Sequence, residues 1–219
     1  MNDPFECLAT VPRTYNNEQV LDFKERALKS GIPTYIQLAS LRDDVIIEFM
    51  NSVRNDLIEN SYFFASLSET YDNILLWSHY ALSNTGFVLA IDLNETNNHV
   101  QKVTYQDNLP DFDMDWYFRV KNDDDTNSAE IAYLLKDFAI KSNHWNYEKE
   151  WRVCRKDKGY FRFLPEQVKA VYFGLNCDFD IEKVVMTLLS YSDEDVPIYK
   201  MALSTNPLSM IAKDYEFPS

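Results

Sequence analysis

A chain of 219 residues with 35 acidic and 21 basic side chains carries a formal charge of −14 at neutral pH. At 46% apolar and 15% aromatic it holds ample material for the core of one ordinary domain, which excludes a disordered tail. The charge balance excludes a protein that coats nucleic acid electrostatically, and only 4 glycines disfavour Gly-rich phosphate loops and dinucleotide fingerprints. Cys7, Cys154 and Cys177 are odd in number and share no ligand spacing, against a disulfide framework or zinc ribbon. No apolar run approaches the roughly 18 residues of a membrane span. The start, Met-Asn-Asp-Pro-Phe-Glu, has neither the basic nor the apolar region of a signal peptide. The expectation is a cytoplasmic protein, a single domain over 1–219, with no membrane partner.

In chain order, 17–29 reads as an amphipathic helix on Val20, Leu21, Phe23 and Ala27. A second helix spans 41–57, where Val45, Ile46, Phe49, Met50, Val53 and Leu57 recur at three and four residues. Residues 62–68 read as a strand, 72–81 as a short helix, and 86–93 and 100–105 as strands rich in β-branched and aromatic residues. From 107 to 128 carboxylates and turn formers crowd together; this reads as a solvated acidic loop, without the glycine and terminal Glu of a calcium loop. A helix is expected over 129–141, on Ile131, Leu134, Leu135 and Phe138. Another is expected over 181–189, on Ile181, Val184, Val185 and Leu188, capped by Asp178 or Asp180. Strands are expected at 147–155, 168–174 and 197–203. Helices early and mid-chain, with strands clustered later and no regular βαβ alternation, predict an α+β fold with a mixed or mainly antiparallel sheet.

Three stretches carry the chemistry. Tyr147-Glu148-Lys149-Glu150-Trp151-Arg152, as a strand, puts Glu148, Glu150, Arg152 and Cys154 on one face. That pattern is either a surface ion-pair ladder or a site in which Arg152 holds one carboxylate ionised while the other meets a substrate hydroxyl. In 62–69, Ser66 and Ser68 share a face, as a polar cleft wall or as a strand end whose hydroxyls satisfy nearby backbone. In 72–81, Trp77 and Tyr80 stand three apart, and His79 is a general base, a hydroxyl ligand or a histidine packed beside Trp77. His99 and His144 offer no metal spacing to His79, and neither a nucleophile elbow nor a supported catalytic thiol is present.

Together these pieces resemble a bacterial and phage family known as a domain of unknown function (number 2971). The matching residues are Asn2-Asp3-Pro4-Phe5-Glu6, Ala65-Ser66-Leu67-Ser68-Glu69, Asp72-Asn73, Trp77-Ser78-His79-Tyr80-Ala81 and Gly86-Phe87. They continue through Val103-Thr104-Tyr105, Lys141-Ser142, Trp145, the 147–152 stretch and Val171-Tyr172-Phe173-Gly174. Members usually carry a strand or two before Asn-Asp-Pro-Phe-Glu, so the resemblance implies a short member lacking the first strand, a start further upstream or a trimmed chain. The order of hydroxyl pair, aromatic helix and Glu-x-Glu strand is also similar to ADP-ribosyltransferases with their split sheet.

By that resemblance NAD is the substrate. Glu150 holds the ribose hydroxyl and stabilises the cation, Glu148 orients the acceptor, and Ser66 and Ser68 brace the strand that holds NAD. Tyr80 or Trp77 stacks on nicotinamide, and Arg152 or His79 meets the diphosphate or a ribose hydroxyl. The missing first strand is where the transferases place the Arg or His that grips NAD, which implies a weakened site or help from another subunit. The function expected is an NAD-consuming effector of toxin or phage-defence type with an unidentified macromolecular acceptor, and no metal. The alternatives are an inactive acidic binding protein that mimics nucleic acid, and a metal-assisted nuclease or phosphohydrolase on Glu148, Glu150 and an Asp of 107–125. Phe5, Leu8 and Val11 at the start are candidates for docking a second copy or another protein.

Overall fold

A computed structural model describes residues 15–60, 63–93, 99–108, 139–155, 160, 162–191 and 195–215. The fold is α+β, with helices against a mixed sheet and an antiparallel strand pairing. Cys7, the apolar trio Phe5, Leu8 and Val11, most of the acidic 107–128 stretch and most of the expected helix at 129–141 lie outside the described residues. The chain divides into two compact units, the first from Met1–Ser66, His99–Asn146 and Trp151–Lys158, the second from Leu67–Asn98, Tyr147–Glu150 and Gly159–Ser219.

The first unit holds helices α1 (Asn17–Lys29), α2 (Pro33–Ala39) and α3 (Asp43–Asn60). Asn16 caps α1 by accepting from Gln19 N at 2.8 Å, while Gln19 Oε1 accepts from Asn16 N at 2.9 Å. Val20, Phe23 and Ala27 of α1 pack with Tyr35, Ala39, Ile46 and Met50 in one core, the 3–4 spacing expected of a buried helix face. Gly31 joins α1 to α2 at φ +69°, a backbone state that glycine adopts without steric cost, and Pro33 opens α2 at its first position. That seven-residue helix is too short for a hydrophobic period to show in the sequence.

Most of the three-stranded sheet also lies in this unit, in the order β1 (Phe63–Ser68), β6 (Glu150–Arg155), β3 (His99–Lys102). β3 and β6 are antiparallel, with Gln101 opposite Arg152 and Lys102 opposite Trp151, whose ring lies 5.6 Å from the Lys102 ammonium. The expected strand at 100–105 is interrupted at buried Val103. Its second half, β4 (Thr104–Tyr105), pairs in parallel with β5 (Ile140–Lys141) instead. Residues 140–141, expected as the end of a helix, are therefore strand.

The second unit is built on a four-stranded sheet of β2 (Phe87–Ile91), β7 (Val168–Phe173), β8 (Ile198–Thr205) and β9 (Leu208–Asp214), in that order. β2 and β9 run antiparallel to their neighbours, while β7 and β8 are parallel. Parallel neighbours require a crossover, and α5 (Phe179–Leu189) supplies it, capped by Asp178, whose carboxylate accepts from Asp180 N at 2.8 Å. Val171 and Phe173 face α5 and pack with Val185, Ile181 and Leu89. Tyr172, on the opposite face, joins Val88, Met201 and Met210 against Trp77 of helix α4 (Ile74–Tyr80) and Ala81 just after it. One helix thus covers each face of the sheet.

Between α5 and β8 a buried Glu182, 4% exposed, takes an ion pair from Lys200 and a 2.7 Å hydrogen bond from the Tyr215 hydroxyl. Burial and the adjoining Glu182 push the Tyr215 phenol up to about 12, and burial also pushes the Cys177 thiol up. After α4 three successive residues, Leu82, Ser83 and Asn84, take left-handed φ values of 48°, 56° and 70°. The Asn84 carbonyl accepts from Asn176 N at 2.9 Å, and a Cβ at Gly174 would lie 2.2 Å from that same oxygen, so only glycine fits there. Among the described residues no helix is long and apolar enough to cross a membrane.

Candidate functional site

The Glu-Lys-Glu stretch is not one continuous strand. A 3-10 turn spans Asn143–Glu148, Lys149 takes φ +46°, and β6 begins only at Glu150. The expected strand over 147–155 is corrected in its first three residues, because a left-handed residue cannot continue a β ladder. The burial alternation nevertheless survives the break: Glu148 is 4% exposed and Glu150 3%, while Lys149 between them is exposed. Neither carboxylate belongs to a solvated ladder.

Within the second unit, three consecutive carbonyls of this turn are held by the segment that follows β1. The Asn73 side-chain amide donates to the Tyr147 carbonyl at 2.8 Å. The Ser68 hydroxyl donates to the Glu148 carbonyl at 2.6 Å, and Glu69 N donates to the Lys149 carbonyl at 3.1 Å. Asn73 also caps α4, its Oδ1 accepting from Leu75 N at 2.9 Å and Leu76 N at 3.4 Å. One residue therefore starts the helix and pins the turn. At the other end of α4, the Tyr80 hydroxyl donates to Glu148 Oε1 at 2.8 Å. Tyr80 is 56% exposed, so its ring runs from the surface to a carboxylate that is otherwise enclosed.

Chemically, this is a carboxylate fixed in main chain and side chain before any ligand arrives. Buried acids are retained at a cost in desolvation and need hydrogen-bond donors around them. A preorganised carboxylate of this kind is able to accept a proton, bind a hydroxyl or stabilise a neighbouring positive charge.

The structure brings together Ser68, Tyr80 and Glu148 by direct hydrogen bonds, with Glu150 two residues further on. Ser68 is occupied as a backbone brace and also accepts from Thr70 N at 3.2 Å, the strand-end role for a hydroxyl. Trp77 is a core residue, 1% exposed, and its indole N–H donates to the Tyr71 carbonyl at 2.6 Å, so its ring is not open for stacking on a ligand. His79 is exposed, edge-on to the Tyr80 ring with centroids 6.3 Å apart. Ser66, exposed on β1, and Arg152, 2% exposed on β6, belong to the first unit. Among the described residues no three His, Cys, Asp or Glu side chains are grouped to hold a metal ion.

Sequence reasoning gave no site role to Asn73, Glu69 or Tyr71. Asn73 had a legible signal, a cap-type residue directly before an apolar helical run. Glu69 acts through its backbone, which no side-chain pattern reports.

Residues 76–153 match the family model described as Protein of unknown function (DUF2971). The similarity to DUF2971 is confined to that segment, less than half of the chain. It runs from the middle of α4 into β6, so the DUF2971 match contains Trp77, His79, Tyr80, Glu148, Glu150 and Arg152 and leaves out Ser66 and Ser68. No curated protein and no solved structure matches the chain.

Proposed function

We propose that this chain is an NAD-consuming enzyme of ADP-ribosyltransferase-like chemistry, an effector of toxin or phage-defence type that acts on a macromolecular acceptor. One observation carries the reading: the buried Glu148 carboxylate is held by the hydroxyl of the surface residue Tyr80, on a turn fixed at three successive carbonyls, with buried Glu150 beside it. In the reaction the bond between ribose C1′ and the nicotinamide nitrogen breaks, and nicotinamide leaves with the bonding pair. The ribose left behind is oxocarbenium-like, and a fixed carboxylate stabilises that charge as it develops. Glu150 takes this role and engages the ribose hydroxyl. Glu148 orients the acceptor and takes its proton as the acceptor's lone pair closes the new bond to C1′.

Nicotinamide release from NAD by the purified protein tests the reading, with and without cell lysate as the source of acceptor. Release by the wild type and a fall of about 10²-fold or more in Glu150→Gln is the expected result. A dependence on lysate identifies a transferase, and release without lysate a glycohydrolase. A folded wild type that releases no nicotinamide under either condition overturns the proposal.

A further inference from the structure

Tyr71, Tyr172 and Tyr199 form a stack of three rings in the second unit. Tyr71 lies over Tyr172 with centroids 4.4 Å apart and planes 11° from parallel. Tyr172 lies over Tyr199 at 5.1 Å and 19°, the two residues being register partners on the parallel strands β7 and β8. Tyr172 is covered by a ring on each side. Tyr71, at the outer end, is 41% exposed although one of its faces is spent on Tyr172, so the exposure falls on its other face and edge.

The Tyr71 ring is also held in place. The Trp77 indole N–H donates to the Tyr71 carbonyl at 2.6 Å, and two residues to either side Glu69 and Asn73 are bonded to the 147–149 turn. A ring already immobilised loses little conformational entropy when a ligand settles on it. The face of a phenol carries negative quadrupole density, which favours an electron-poor or cationic partner.

We infer that the outer face of Tyr71 is a stacking platform for a planar, electron-poor aromatic ring of a nucleotide-type ligand. The inference deepens the NAD reading by seating one ring of the dinucleotide on the same segment, 69–73, that clamps the Glu148 turn. It fails or stands separately from catalysis, because stacking requires no bond to break.

The test measures binding by calorimetry with NAD, nicotinamide mononucleotide, AMP and, as a ring-free control, ribose 5-phosphate. Nicotinamide mononucleotide carries the cationic ring and AMP the neutral one, so the two distinguish which end of the dinucleotide is seated. Tyr71→Leu is expected to weaken binding of a ring-bearing ligand about tenfold or more. Tyr71→Phe and Tyr71→Trp, which keep a flat face, are expected to bind within about threefold of wild type, with the Trp variant also serving as a folding control. Ribose 5-phosphate is expected to be indifferent to all three substitutions. The inference is overturned if Tyr71→Leu binds every ring-bearing ligand as wild type does, if Phe and Leu lose equally, or if no ring-bearing ligand binds the folded wild type. Ring-dependent binding without nicotinamide release leaves the platform standing and removes the NAD-consuming activity. Release whose KM is unchanged in Tyr71→Leu does the reverse.

Discussion

Lys149 pays a conformational penalty that Glu148 and Glu150 do not, since only it takes a positive φ, at +46°. A left-handed backbone costs a non-glycine residue about 1–2 kcal/mol, and more when the side chain is β-branched. Lys149→Val adds only the excess strain of a β-branched over an unbranched side chain and is therefore expected to lower stability by about 1 kcal/mol. Lys149→Gly stays within about 1 kcal/mol of wild type, because relief of strain is offset by the greater freedom of the unfolded chain. Denaturant midpoints of the two variants check this. At Tyr80, removal of the hydroxyl deletes a donor to a buried carboxylate, and Tyr80→Phe is expected to cost about 1–3 kcal/mol by the same measurement. The alternation of Glu148 and Glu150 with Lys149 was legible in the sequence. Their burial was not, because an exposed ion-pair ladder has the same pattern and only tertiary packing separates the two.

At the scale of elements, the segment from Ser68 to Asn73 links β1, α4 and the glutamate turn. Ser68→Ala removes the donor to the Glu148 carbonyl and is expected to cost about 1 kcal/mol. Asn73→Ala loses both the α4 cap and the bond to the Tyr147 carbonyl, for an expected 1–2 kcal/mol, about the upper range for a cap alone. Thermal unfolding of both variants reads these losses. If nicotinamide release occurs, it is expected to fall more steeply with Asn73→Ala than stability alone explains, since the substitution frees the turn that positions Glu148.

The elements legible in advance were those with a hydrophobic period and a cap, as α1 with Asn16 and α5 with Asp178. Among the described residues α2, β5 and β9 escaped. Helix α2 is one short stretch opening on a proline, β5 is two residues at the end of a stretch with a helical period, and β9 alternates too weakly, with Leu208 and Ile211 exposed, to stand out as a strand. The break at Lys149 also escaped, because nothing in a lysine side chain announces a left-handed backbone.

At the scale of the whole molecule, α5, β8 and Tyr215, the residue after β9, meet at Glu182. The Tyr215 phenol there is raised to about 12, so folding opposes its ionisation. The unfolded chain loses that proton near pH 10, and the folded one only near 12. The contribution of this group is thus complete below pH 10 and is lost as pH climbs toward 12. Tyr215→Phe has no such proton, so the stability advantage of wild type over this variant is expected to shrink across that window in thermal melts. Gly174→Ala sets a Cβ against the Asn84 carbonyl, a backbone atom that cannot swing aside. That variant is expected to lose about 3 kcal/mol, the upper end for overpacking, with a lower thermal midpoint.

The alternation of the chain between its two units bears on how the protein is made. Each unit is assembled from three separate stretches, so a break anywhere between residues 67 and 158 leaves neither unit whole. In the second, among the described residues, β2 at Phe87–Ile91 pairs only with β7 at Val168–Phe173, and β8 and β9 come later still. On the ribosome, β2 waits without its partner while the intervening residues are synthesised, with one apolar strand open to aggregation or a chaperone. Truncations must respect this timing: fragments cut between residues 67 and 158 are expected to be recovered in the pellet in greater share than the full chain.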